Sequence, residues 1–276
     1  MGIFKGMFKK ESDSNSSAES RSNSPKGFVE LVVNKVDKLT SDSVKVTFSI
    51  PDEEKANFKF IPGQYVNLCL TLNGKEERRS YSICSGQQEA LSIAIKSVES
   101  GTVSVWANTV LKAGDTILVS KPEGLFTVPD TAKKIIAFAA GSGITPIMSI
   151  AKEIEQSGRE MSLYYANKSE SAILFKSELD ELKAVQTNYY LTQEKKAEMR
   201  SGRLDKEAIS NEVKANLELL KADTFLLCGP EEMIKSCKEA LQLFGVPKEK
   251  IHFELFTTPV EMESESVGEV SEFSGK

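Results

Sequence analysis

The sequence predicts a two-domain protein, an antiparallel β-barrel followed by an α/β domain built on a parallel sheet. Three observations carry that prediction. Short strand-like runs separated by turn signals fill residues 28–128, strand and helix patterns alternate over residues 129–258, and a glycine-rich turn, Gly141-Ser142-Gly143, joins the first strand to the first helix of the second half. A chain of 276 residues has room for two such domains, and 40% hydrophobic with 27% charged residues is a composition that builds a core.

Residues 1–27 read as a leader and linker. Positions 11–26 are dominated by Ser, Asn, Glu, Arg and Pro, with too little apolar surface to offset the entropy of ordering. Ahead of them Ile3, Phe4, Met7 and Phe8 alternate with Lys5, Lys9 and Lys10, a pattern that suits a short helix lying on a membrane surface. Its shortness favours a frayed leader instead.

Six barrel strands are expected, over 28–36, 44–50, 65–72, 79–84, 90–95 and 116–120, with Pro62-Gly63 and Asn73-Gly74 among the turns between them. One helix, 103–111, interrupts them and closes before Gly114. Past Pro129 the period changes. A solid apolar strand at 135–140 leads through the glycine turn into a helix at 146–155, and the alternation continues through 162–166, 172–184, 188–192, 204–213, 224–228, 231–244 and 251–256. That order is the signature of a parallel sheet with crossover helices. Residues 259–276, rich in Glu, Ser and Val without periodicity, read as an acidic tail or linker.

The composition excludes several function classes. A net charge of -5 with no basic patch argues against a nucleic-acid partner, whose phosphates need neutralising. The four cysteines, Cys69, Cys84, Cys228 and Cys237, show neither metal-ligand spacing nor a disulfide framework, which fits a reducing cytoplasm. His252 is the only histidine and sits in an apolar run, so His-based metal sites and Ser-His-Asp chemistry are not expected. No apolar run is long enough to span a membrane or serve as a secretory signal.

Within Arg79-Ser80-Tyr81-Ser82 an arginine and an aromatic ring share one strand face, and serines occupy the other. Such a face suits an anionic, aromatic, redox-active ligand, a flavin. Gly141-Ser142-Gly143-Ile144-Thr145-Pro146 lets backbone approach a pyrophosphate at a helix N-terminus, with Pro146 in place of the third glycine of the usual dinucleotide fingerprint. About 20 residues on, where an acid reads the ribose of NAD, stand Asn167-Lys168-Ser169. A cation there suits a 2′-phosphate, which favours NADPH over NADH. Gly101-Thr102-Val103-Ser104 opens the barrel helix and offers a second anion site; a plain helix cap is the alternative reading.

These motifs, together with Pro122-x-Gly124-x-Phe126, Cys228-Gly229-Pro230 and Glu254-x-Phe256, occur in the order seen in the ferredoxin–NADP reductase superfamily, which the chain resembles over roughly residues 28–256. Within it the chain is most similar to the reductase components of bacterial aromatic oxygenases. The resemblance implies FAD bound by Arg79, Ser80, Tyr81 and Ser82, with Arg79 on the pyrophosphate, Tyr81 on the ring and Ser82 near flavin N5. It places Gly101, Thr102 and Ser104 at the FAD phosphates and Gly141, Gly143 and Thr145 at the nicotinamide dinucleotide. Asn167, Lys168 and Ser169 would take its ribose phosphate, and Cys228, Gly229 and Pro230 would lie beside the nicotinamide. Glu254 and Phe256 would return to the flavin edge, making Ser82, Cys228 and Glu254 the catalytic set.

The implied reaction passes hydride from NAD(P)H to FAD and then single electrons to an iron–sulfur or other metalloprotein, such as an oxygenase. The alternatives are a non-turnover FAD- and nucleotide-binding module or a separated flavohaemoglobin-type reductase. Oxygenase reductases of this type carry a plant-type [2Fe–2S] domain after the equivalent of Phe256. No cysteine follows Cys237 here, so no [2Fe–2S] cluster is expected in this chain. Truncation at the linker and a separate electron carrier are both open.

Overall fold

The structure of the protein, a computed structural model, describes residues 25–256; the N-terminal amphipathic segment, most of the Ser-rich linker and the acidic tail lie outside the described residues. The first half contains β1 (Phe28–Thr40), β2 (Ser43–Ser49), β3 (Tyr65–Leu72), β4 (Lys75–Ser82), β5 (Ser92–Lys96) and β6 (Thr116–Ser120), with helix α1 (Thr102–Thr109) between the last two. Alternation decides the faces: Val44, Val46 and Phe48 of β2 point inward, as do Leu31 and Val33 of β1, while Val32 is exposed. The strands run β4-β3-β6-β1-β2-β5 with every neighbour antiparallel. A single bridge between Ile83, just past β4, and Ile93 of β5 brings the two outer strands together at one end of the barrel.

The second half contains β7 (Lys134–Ala140), α2 (Ile144–Ser157), β8 (Glu160–Asn167), α3 (Lys176–Glu181), β9 (Val185–Leu191), β10 (Arg200–Ser201), α4 (Lys206–Ala215), β11 (Thr224–Gly229), α5 (Glu231–Leu243) and β12 (Ile251–Leu255). All strand pairs are parallel, in the order β10-β9-β8-β7-β11-β12. Because β7 is covered on both faces it is apolar from Ile135 to Ala140. The order reverses between β7 and β11, which opens a crevice at their carboxyl ends. The halves also share a core: Cys84, Ala94 and Phe126 of the barrel belong to the same buried cluster as Ile147, Ile150 and Ala151 of α2.

Several expected elements change. The helix expected over 172–184 shrinks to α3, preceded by a short 3-10 turn at Glu170–Ala172. Ile173, Leu174 and Phe175 are all buried, which a surface helix with one inward face cannot achieve, and Phe175 turns left-handed (φ 60°) to start α3. Helix α4 starts at Lys206 rather than 204 because Asp205 caps it, accepting from the Ala208 N–H at 2.9 Å. The edge strand β10 was not among the expected elements; it has two residues, both exposed.

Candidate functional site

At the crevice, β7 ends on Ala140 and the chain turns through a 3-10 turn, Gly141–Gly143, into α2. Gly141 takes a left-handed φ of 54°. A Cβ on Gly143 would sit 2.2 Å from the Cys228 carbonyl oxygen, since Cys228 pairs with Ala139 across the β7–β11 ladder. No side chain caps α2; its Ile144 N–H bonds back to the Gly141 and Ser142 carbonyls, and Pro146 has no N–H, so the turn offers an anion chiefly the positive end of the helix. The Tyr165 hydroxyl braces the turn by donating to the Gly141 carbonyl at 2.9 Å. Tyr165 went unnoticed in the sequence because a strand buried on both faces shows no alternation to single it out.

Asn167, Lys168 and Ser169 follow at the end of β8. Asn167 is buried and neither atom of its side-chain amide has a hydrogen-bond partner; Lys168 is exposed, and the Ser169 hydroxyl meets that of Ser171 at 3.0 Å. Two arginines that the sequence did not single out stand nearby, lining a groove of about 370 Å³ with Tyr190 and Asn211. Arg200 is already engaged, donating to Asn188 at 2.6 Å and pairing with Glu212 at 2.7 Å. Arg203 is 79% exposed, with only a 3.9 Å contact to Glu232. Its signal was the short Arg-Ser-Gly-Arg run before the Asp205 cap.

On the barrel side, Arg79 and Tyr81 share the half-buried face of β4 and Ser80 points to solvent. The Arg79 guanidinium pairs with Glu77 at 2.8 Å and donates to the Arg78 carbonyl at 2.7 Å. Tyr81 packs on the barrel core, and burial pushes its phenol up to about 12 against the opposing charge of Arg79. Ser80 donates to Asn67 at 2.6 Å. Ser82 is buried, and its hydroxyl donates to a Glu254 carboxylate oxygen at 3.3 Å, linking the barrel to β12.

Glu254 lies opposite Cys228 in the β11–β12 register, so Ser82, Cys228 and Glu254 come together although they come from three separate strands. Burial raises the Glu254 carboxyl to about 7, opposed by the Ser82 hydrogen bond. Cys228 is fully buried; burial first, and the neighbouring Glu254 charge second, hold its thiol well above the ordinary value. It is a neutral thiol at physiological pH. Gly229 and Pro230 follow at the β11 carboxyl end, and Phe256 stands exposed just past β12.

Helix α1 has no side-chain cap either, and Gly101 precedes it. A Cβ there would come within 2.5 Å of the Ser104 hydroxyl. Two hydroxyls expected at phosphates are turned inward instead. Ser104 accepts from the Val98 N–H at 3.1 Å and reaches the Gly101 carbonyl at 3.3 Å, and Thr145 donates to the Ser142 carbonyl at 3.0 Å. Both are buried because each closes the loop that leads into its helix; only Thr102 of the α1 opening is exposed. Among the described residues no cluster of His, Cys, Asp and Glu is suited to a metal ion, and no helix is long and apolar enough to cross a membrane.

Comparison with known proteins agrees with both halves. Residues 29–128 match the oxidoreductase FAD-binding domain family and residues 138–239 the oxidoreductase NAD-binding domain family. The chain is 32% identical over 244 residues to a component of the 1,2-phenylacetyl-CoA epoxidase of Escherichia coli K12, a match that covers 84% of this chain and 68% of that protein. It is 31% identical to the ferredoxin reductase component of 3-ketosteroid-9-alpha-monooxygenase from Rhodococcus rhodochrous, covering 83% of this chain and 65% of that protein. A ferredoxin NADP+ reductase from Neisseria gonorrhoeae, solved with FAD and NADP bound, shares the fold with a TM-score of 0.70 at 22% identity over 84% of this chain and 99% of that one. With an FAD-binding barrel followed by an NAD-binding α/β domain, the chain belongs to the ferredoxin–NADP reductase family of oxidoreductases.

Proposed function

We propose that the chain is the reductase of a cytoplasmic oxygenase system, oxidising NADPH through FAD and delivering electrons to an iron–sulfur or other metalloprotein acceptor. The observation that carries this reading is the junction itself: the Ser82–Glu254 hydrogen bond joins the strand of Arg79 and Tyr81 to the strand beside Cys228, at the carboxyl ends of β7 and β11 where the strand order reverses. The names of the relatives, an epoxidase component and the reductase component of a monooxygenase, support the choice of acceptor class.

The residues present fit both cofactors. Gly143 and Gly101 let the chain pack closely where each turn enters a helix with no side-chain cap, and Gly141 leaves open space beside the α2 start, as two phosphate-bearing ligands require. A nicotinamide and a flavin held there would supply hydride donation, hydride acceptance and single-electron release. Arg79 would hold the FAD pyrophosphate in exchange for Glu77, Tyr81 would pack on the ring, and Ser82, its proton donated to Glu254, would present its hydroxyl oxygen at the flavin edge. Glu254 accepts from Ser82 and orients it. Gly141, Gly143 and the positive end of α2 would take the dinucleotide phosphates, Gly229 and Pro230 would flank the nicotinamide, and the neutral, buried Cys228 thiol would keep water from it. No residue is needed to abstract a proton in the hydride step; the protein's part is positional.

Purified protein should be yellow and should bleach under anaerobic NADPH. Failure to retain or rebind FAD overturns the assignment. Lys168, exposed at the end of β8, is the residue assigned to the 2′-phosphate. A charge-assisted hydrogen bond contributes about 1.5–3 kcal/mol, so Lys168→Ala should raise the KM for NADPH about tenfold or more. The KM for NADH should stay within about twofold, well inside 1 kcal/mol. Equal changes would assign the 2′-phosphate elsewhere.

A further inference from the structure

Lys152 lies on α2, two turns past the glycine turn, with its stem packed against Gly86 of the barrel and its side chain 10% exposed. Its ammonium meets Glu89 of the barrel at 2.8 Å and Glu178 of α3 at 2.9 Å. Glu178 in turn faces Lys45 of β2 at 3.7 Å, and Glu89 also accepts from the Gly86 N–H at 3.2 Å. The result is a chain of alternating charge, Glu89–Lys152–Glu178–Lys45, that crosses the domain boundary at both ends. One turn earlier on the same face of α2, the buried Ser149 hydroxyl donates to the Ser85 carbonyl at 2.7 Å. The titratable groups around the ammonium are thus Glu89, Glu178, Lys45 and the buried Cys84 thiol.

We propose that Lys152 is a positioning residue that locks the nucleotide domain to the barrel and thereby sets the distance between the two redox rings; the inference rests on the flavin reductase reading above. Both ends of the lock lie close to the site. Ser85 is three residues beyond Ser82 along the barrel chain, and Ser149 and Lys152 are on the helix whose first turn binds the dinucleotide. A helix is stiff along its axis, so a rotation of α2 about this contact carries the glycine turn with it. The dinucleotide contacts lie within the α/β half, whereas the ring-to-ring distance spans both halves. Loss of the lock therefore slows transfer without weakening binding, and a misplacement of ~1 Å can cost on the order of 10²-fold in rate.

The carboxylates are partly exposed, so the pair energies are modest in water. The buried lysine is the member without an alternative. Removing it leaves the two carboxylates facing each other across the boundary with only Lys45, 3.7 Å from Glu178, to offset them.

The test compares Lys152→Met, which keeps the apolar stem, Lys152→Arg, which keeps the charge, and Glu89→Gln, which weakens only the barrel-side contact. Stopped-flow measurement under anaerobic NADPH gives the limiting rate of flavin reduction and the nucleotide Kd. Hydrogen exchange on the FAD-free protein reports the amides of residues 84–90 and 149–152. The expected result for Lys152→Met is a limiting rate lower by about 10- to 100-fold, with Kd within about twofold, well inside 1 kcal/mol. Faster exchange at both segments should accompany it. Lys152→Arg should recover most of the rate, and Glu89→Gln should fall between. A rate unchanged in both Lys152→Met and Glu89→Gln overturns the proposal, as does a raised Kd with unchanged rate. If Lys152→Met fails to fold, Glu89→Gln decides alone by the same two readouts. A wild-type protein that NADPH does not reduce would refute the reductase reading instead, leaving the exchange data to report on the lock.

Discussion

Gly143→Ala should abolish dinucleotide binding while the protein still holds FAD. The new methyl would lie 2.2 Å from the Cys228 carbonyl oxygen and 2.8 Å from the Gly229 nitrogen, both backbone atoms. Neither can move freely, because β11 is hydrogen-bonded to β7 on one side and β12 on the other. The turn must shift instead, and with it the positive end of α2. Overpacking of this kind costs typically 1–3 kcal/mol and occasionally more, and the displaced helix end no longer faces the phosphate. Gly141→Ala is the informative comparison: no atom lies within 4 Å of its Cβ, so only the left-handed backbone is strained, at about 1–2 kcal/mol. Titration with NADP+ followed by the flavin spectrum, with FAD content measured in parallel, separates the two. Nucleotide binding by Gly143→Ala as tight as wild type would refute the placement of the dinucleotide at this turn.

Glu254→Gln should make the protein more stable at alkaline pH and leave it unchanged in acid. The folded-state carboxyl titrates near 7, above its ordinary 4.5, chiefly because it is buried. At pH below the ordinary value both states are protonated and there is no penalty. Between that value and about 7 the folded protein retains a proton that the unfolded chain has lost, so stability falls as pH rises through this window. Above it the full cost of a buried charge persists, on the order of 3 kcal/mol. Glutamine is neutral throughout and can still accept from Ser82, so it removes the slope. Urea unfolding at about pH 5 and pH 8 should show the stability gain of the variant growing by roughly 2 kcal/mol between them. A stability gain independent of pH would mean that Glu254 is not the titrating group.

Much of the fold was legible because its elements advertise their own faces. The inward Val44, Val46 and Phe48 mark a barrel strand by period alone, and the unbroken apolar run at 135–140 marks a strand covered on both sides. The glycine turn was recognisable because its chemistry is local, needing only a strand before it and a helix after it. Where local pattern and tertiary demand diverged, the pattern misled. Ile173, Leu174 and Phe175 read as part of a helix, but the core between α2 and the sheet needed all three of them buried. β10 was too short and too polar to leave any periodic trace.

The two halves, their order, and the residue types that suit a flavin and a dinucleotide are written in local pattern. Which of those residues meet depends on how the chain folds back on itself. Ser82 and Glu254 are 172 positions apart, and their hydrogen bond exists because β12 is an outer strand of its sheet that turns one carboxylate toward the end of β4. The tertiary structure also decided that Ser104 and Thr145 face inward and that Lys152 ties the two halves together. Hydrophobic periodicity records which side of an element is buried, whereas the partner on that side is set by how the chain closes on itself, and no local pattern encodes it.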